Sequence, residues 1–180
     1  LVPAIFVFTF LRFHPVPLRR SSPARAAAPA RLGGSRHHAQ AQNSAGNPAF
    51  ADLYAAMPAL RPDVLVLTER VDIASTIRWE NTNGYVGMWV ARARTANPNV
   101  RPYLYTTWYG WGNSQWYPGV PTRAVWRTRI EADGLLYEQV AINAGMQIVP
   151  GHRAMMELYD AVMAGRVPGF TSIDAFFTDD

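Results

Sequence analysis

Val64-Leu65-Val66-Leu67, closed by Thr68-Glu69-Arg70, decides the architecture. Four consecutive aliphatic residues without alternation do not suit a strand with one wet face. They read as a parallel strand buried on both faces, and such a strand requires covering helices. Upstream, Asn43 or Asn47 is a candidate cap for a helix from Pro48 to about Leu60, with proline at its first position. Phe50, Leu53, Tyr54 and Met57 form its apolar stripe, and Arg61-Pro62-Asp63 ends it. Downstream, the spacing of Tyr85, Val86, Trp89, Val90 and Ala93 predicts a helix from about Thr82 to Ala96, broken by Asn97-Pro98-Asn99.

The pattern then repeats. Val100 to Thr106 reads as a strand whose Pro102 is tolerable near its start. After a loop, Trp126, Ile130, Tyr137, Val140, Ala141 and Ala144 mark a long helix over 122–144, with Arg127, Arg129, Glu131 and Glu138 on its wet face and Gly134 as a place to bend. Met146 to Val149 is a third strand, Pro150-Gly151 its turn, and His152 to about Ala164 a helix burying Met155, Leu158, Tyr159 and Val162, stopped by Gly165 and Pro168-Gly169. Three strand-helix units in a row predict an α/β fold: three layers, α/β/α, around a mainly parallel sheet, flavodoxin-like in type, with an irregular N-terminal part. In such sheets chemistry sits beyond the carboxyl ends of the strands. Those ends are Thr68-Glu69-Arg70, the loop from Thr106 to Pro121, and Pro150-Gly151-His152.

Charge separates this region from what precedes it. The 180 residues carry a formal +4, yet all seventeen basic residues are arginine and six of them precede Asp52, the first acid. From Asp52 onward eleven arginines face thirteen acids, so the folding part is slightly acidic and no nucleic-acid partner is expected. Zero cysteine excludes a disulfide scaffold, a thiolate zinc site and a cysteine nucleophile. It leaves secreted, periplasmic and cytoplasmic locations all open. No apolar run approaches the roughly 20 residues of a membrane span.

Residues 1–47 form the first expected region and 48–180 the second. Ala4 to Phe10, within an apolar run from Leu1 to Leu11, suits a buried strand. A secretory signal is the rival reading, although its positive charge would stand before the apolar core and here the arginines follow it. His14 to Gln42 is rich in Pro, Ala, Arg and Ser and contains no acid, so disorder is expected there. A basic arm for acidic partners is the functional alternative for this stretch, and a shifted reading frame of a GC-rich gene would also produce such text. His37 and His38 are adjacent rather than on one helix face, and no metal site is read from them.

The loop TTWYGWGNSQWYPGVP, Thr106 to Pro121, carries Trp108, Tyr109, Trp111, Trp116 and Tyr117. Most strand-to-helix connections are two to six residues long. So many rings suit either a platform on which apolar or sugar rings stack or a loop that packs its own rings as a satellite core.

From Asp63 onward the order of segments resembles a branch of the SGNH (GDSL-type) hydrolases. The segments are DVLVLTERV (Asp63 to Val71), RWENTNGYVGMW (Arg78 to Trp89), ANPNVRPYLYTTW (Ala96 to Trp108) and WRTRIEADGLLYE (Trp126 to Glu138). IVPGHRAMMELYDAVMAGRVPGF (Ile148 to Phe170) and IDAFFTDD (Ile173 to Asp180) complete the series. The resemblance implies acyl-ester hydrolysis by a serine, with acetylated saccharide as one substrate class, and no cofactor. It also implies a Gly-Asp-Ser-like turn after the first strand, an oxyanion hole from a later glycine and asparagine, and a closing Asp-x-x-His. Asp179 matches the aspartate of that closing motif, which orients the histidine. Glu69-Arg70 stands where relatives place the asparagine loop. Ala4 to Phe10 leads into Leu11-Arg12-Phe13-His14, where no Gly-x-Ser turn stands, and Ser21 and Ser22 come too late to serve. The chain is therefore expected to be an incomplete hydrolase, inactive by itself, with Trp108, Tyr109, Trp111, Trp116, Glu69 and His152 around the substrate. A different class of protein, a non-catalytic α/β module binding carbohydrate through the aromatic loop, accounts for the same rings.

Overall fold

A computed structural model describes residues 5–11, 37–42, 48–69, 72–108 and 123–172. In chain order the elements are β1 (Ile5–Leu11), β2 (His37–Gln42), α1 (Pro48–Leu60), β3 (Val64–Thr68), α2 (Ile73–Trp79) and α3 (Thr82–Ala96). Next come β4 (Arg101–Tyr105), α4 (Arg123–Ala144), β5 (Gln147–Val149) and α5 (Gly151–Met163). The strands form one sheet in the order β2-β1-β3-β4-β5. Its three-stranded parallel part, β3-β4-β5, is flanked by helices as in a three-layer α/β/α fold.

The decisive aliphatic run sits where its composition demands. Leu65 and Leu67, with Leu104 from β4, face Val86, Trp89, Val90 and Ala93 of α3 and Tyr137, Val140 and Ala141 of α4 in one core. Val64 is buried as well, whereas Val66 and Thr68 are half-buried. Pro102 lies second in β4, opposite Leu65 in the parallel register. A smaller cluster joins Trp126 and Ile130 of α4 to Trp108, Met155, Met156 and Tyr159. It fixes α5 against the first half of α4.

Two differences from the sequence reading concern the N-terminal part. His37–Gln42, within the stretch expected to be disordered, forms β2 and pairs antiparallel with β1. A central strand needs main-chain partners on both edges, and backbone groups supply them with little regard to side-chain composition. In addition, β1 runs antiparallel to β3, with Leu11 opposite Val64 and Thr9 opposite Val66. The chain therefore leaves β1 beside the amino end of β3, at the edge of the sheet opposite Glu69. A short helix, α2, was also unread. Its cap is Asp72, in the left-handed region at φ 65°, whose carboxylate accepts the Ser75 N–H at 3.4 Å.

Candidate functional site at the carboxyl edge

The parallel strands end in polar residues that are nonetheless buried. Glu69, Thr82, Thr106, Asp133 and His152 all lie within the interior. Such groups remain buried only where hydrogen bonds replace water. The Glu69 carbonyl accepts from the Thr107 hydroxyl at 3.0 Å and from the Tyr137 hydroxyl at 3.1 Å, and these two hydroxyls stand 2.7 Å apart. Two protons thus serve three contacts, so the hydroxyls share them. The Glu69 carboxylate accepts from the Thr82 hydroxyl at 3.0 Å. The end of β3 is thereby tied to the start of α3, to β4 and to the middle of α4.

Thr106 does the same for β5. Its backbone N–H donates to the Val149 carbonyl, and its hydroxyl accepts the His152 N–H at 3.2 Å. The same hydroxyl lies 2.6 Å from Nδ1 of His152 and 3.3 Å from the Val149 carbonyl. It holds one proton: given to Nδ1 it makes the imidazole an acceptor there, and given to Val149 it makes Nδ1–H the donor. The ring lies directly over Gly134, where a Cβ would come within 2.3 Å of Nε2. Burial lowers the His152 pKa from its ordinary value, the positive charge of Arg153 lowers it further, and Glu138 opposes both. The imidazole is held neutral.

The neighbouring residue faces a different environment. Gly151 opens α5 so close to β4 that a Cβ would meet the Thr106 carbonyl oxygen at 2.4 Å and Trp108 at 3.0 Å. Above it lies a pocket of about 370 Å³ whose walls are Tyr105, Trp108, Val149 and Pro150 on one side and Ala154, Met155 and Leu158 of α5 on the other. Tyr105 and Trp108 meet edge to face at 6.3 Å. Burial raises the Tyr105 pKa, which keeps the phenol protonated. The lining is almost wholly apolar, the chemistry of a site that takes a hydrophobic group.

Further along α4, Arg129 joins Asp133 at 3.2 Å to Asp72 at 3.3 Å and so links α4 to the start of α2. Burial raises the Asp133 pKa, Arg129 pulls it back and Asp72 adds a smaller upward push.

Of the residues singled out in the sequence, Glu69, Trp108 and His152 are described, and Asp179, Tyr109, Trp111 and Trp116 lie outside the described residues. Glu69 and His152 point inward and hold strand ends together. Trp108 is half-buried and belongs both to the satellite cluster and to the pocket wall, so the two readings of the aromatic loop meet in its first ring. Thr107, Tyr137 and Gly134 were missed as site residues, and Thr106 and Gly151 were named only as parts of the strand ends. The signal for the threonines was two hydroxyls immediately after β4, and the signal for Gly151 was a glycine opening a helix at a strand's carboxyl end. Among the described residues no helix is long and apolar enough to cross a membrane.

The chain was compared with protein-family models, with curated proteins and with solved structures, and nothing matches it in any of the three.

Proposed function

We propose that this chain is part of an SGNH-type serine ester hydrolase, carrying the substrate-binding floor of the cleft and no hydrolytic turnover of its own. The observation that carries the reading is convergence. Segments that resemble this family in order and spacing bring Glu69, Thr106-Thr107 and Gly151-His152 to one edge of a parallel sheet, beside an apolar pocket that suits the acyl or sugar side of an ester. The absence of turnover follows from the machinery. No Gly-x-Ser turn stands directly after β1, where the sequence continues Arg12-Phe13-His14-Pro15, and β1 ends at the opposite edge from the pocket. His152, buried between Thr106 and Gly134, is not placed to take a proton from a substrate-facing hydroxyl.

Two measurements test this. With p-nitrophenyl butyrate, the chain should hydrolyse no faster than buffer; turnover lost on mutation of a residue in the chain would contradict the reading. The surrounding genomic DNA, translated in all forward frames, should hold a Gly-x-Ser turn near codons 9 to 20 and a histidine three codons after Asp179. Neither being present would favour the second reading, a non-catalytic module in which Trp108 and the pocket bind a ring-shaped ligand. The apolar pocket wall at Trp108 favours that reading too, and oligosaccharide titration of tryptophan fluorescence separates it by a saturable response.

A further inference from the structure

An acyl chain and a sugar make different demands on the pocket beside Gly151, and its walls distinguish them. Val149, Met155 and Leu158 supply aliphatic surface, Tyr105 and Trp108 supply two rings, and among the described residues no charged side chain lines the space. The main chain around it is already engaged. The Val149 carbonyl accepts the Thr106 N–H at 3.1 Å, and the Pro150 carbonyl accepts the Ala154 N–H at 3.1 Å. A sugar entering here would bury several hydroxyls with few partners, and each one left unpaired weakens binding at least about fivefold. The rings point the same way. Their planes stand at 70° with centroids 6.3 Å apart, so they form a corner and not two parallel faces. A sugar could stack on only one of them, whereas a flexible chain can follow the corner, and Met155 adapts its own shape to what it meets. Trp108 and Met155 also pack on Trp126 and Ile130, which holds the corner in place before any ligand arrives.

We propose that this pocket takes an unbranched, uncharged alkyl chain of about eight to ten carbons, so that the ester bound here is a medium-chain acyl ester and not an acetylated saccharide. The preference for alkyl follows from the walls alone; that the alkyl belongs to an ester rests on the hydrolase reading above. Length follows from volume. The pocket encloses about 370 Å³, and a group the size of a water molecule takes roughly 30 Å³ in a liquid. That is room for about a dozen such groups, of which the last few stand at the open side in contact with solvent. An ionised head group finds no counter-charge in the walls, and burying it there would be costly. Only the uncharged part of a ligand therefore enters.

The test uses the full chain and the n-alkanols from 1-butanol to 1-decanol, with peracetylated xylobiose as the saccharide arm. Binding is followed by titration calorimetry at two temperatures, because burial of apolar surface changes the heat capacity and the heat of binding cannot vanish at both. Kd should fall about two- to fourfold with each added methylene and level off at about eight to ten carbons, and the xylobiose ester should bind at least tenfold more weakly than 1-octanol. Ala154→Leu adds three carbons to the pocket wall and should bring the plateau about three carbons earlier with Tm unchanged. Leu158→Ala should move it the other way. No dependence on chain length, xylobiose ester binding as tight as that of 1-octanol, or the same plateau in all three proteins would overturn the proposal. The alkanols carry no ester, so the two readings fail separately. Chain-length-dependent binding without a Gly-x-Ser turn in any genomic frame would support the alkyl pocket and retire the hydrolase, and a hydrolase frame without alkanol binding would overturn the pocket alone.

Discussion

Gly151 and His152 are neighbours at the start of one helix, yet they serve opposite sides of the carboxyl edge. Gly151 faces an open apolar pocket and contributes by lacking a side chain. His152 faces a closed polar interior and contributes a ring clamped between Thr106 and Gly134. The lesson is that position beyond a strand's carboxyl end does not by itself make a residue reactive. On one side of α5 that position shapes an apolar space, and on the other it satisfies buried backbone and hydroxyl groups.

The largest effect expected from breaking this division is at Gly151. Gly151→Val places a branched side chain against the Thr106 carbonyl, a backbone atom held in the sheet. Overpacking typically costs about 1–3 kcal/mol and occasionally more; against an immovable backbone atom the upper end, about 3 kcal/mol, is expected, and urea unfolding should show that loss or no folded protein. Gly134→Ala comes next, because its Cβ strikes only the edge of an imidazole. A cost of about 2 kcal/mol is expected with His152 present. In a His152→Ala background the ring is gone and alanine favours helix by about 1 kcal/mol, so the same change should become neutral or stabilising. A double-mutant cycle measures that coupling.

Acid sharpens the comparison further. The His152 pKa is lowered in the folded state, so between that value and the unfolded value near 6.5 the unfolded chain binds more protons. Stability should therefore decline as pH falls from about 6.5 and level off below the folded pKa. His152→Asn should flatten that part of a Tm-against-pH curve, and an unchanged slope would show that the ring is not buried neutral. The smallest effect belongs to Asp133, whose raised pKa has the opposite sign. Above its unfolded value the folded state holds the extra proton, so stability falls as pH rises through the window between the two values. Asp133→Asn should remove that slope and change stability at neutral pH by no more than about 1 kcal/mol, since Arg129 keeps Asp72 as a partner.

Local pattern made much of the fold legible. The aliphatic run from Val64 to Leu67, the helix from Thr82 to Ala96 and the long helix ending at Ala144 lie where periodicity and breakers put them. What could not be read was long-range pairing. The direction of β1 depends on which edge it joins, and β2 exists by main-chain pairing that leaves little mark on composition. At the site, the edge itself was predictable from topology, and Trp108 was found because a ring in a long loop is conspicuous. The inward orientation of Glu69 and His152 was hidden, since polar residues after a strand look alike whether they face solvent or the core. Thr106, Thr107 and Tyr137 acquire meaning only once β3, β4 and α4 are brought together.

The central claim is that the apolar side of the edge binds a ligand while the polar side holds the fold. The most direct test is titration with 1-anilinonaphthalene-8-sulfonate of the full chain and of Ala154→Leu, which fills the pocket from α5. A saturable, blue-shifted emission at one site is predicted for the chain, weakened at least about tenfold in Ala154→Leu with Tm preserved. An equal response in both proteins, or none in either, would contradict it.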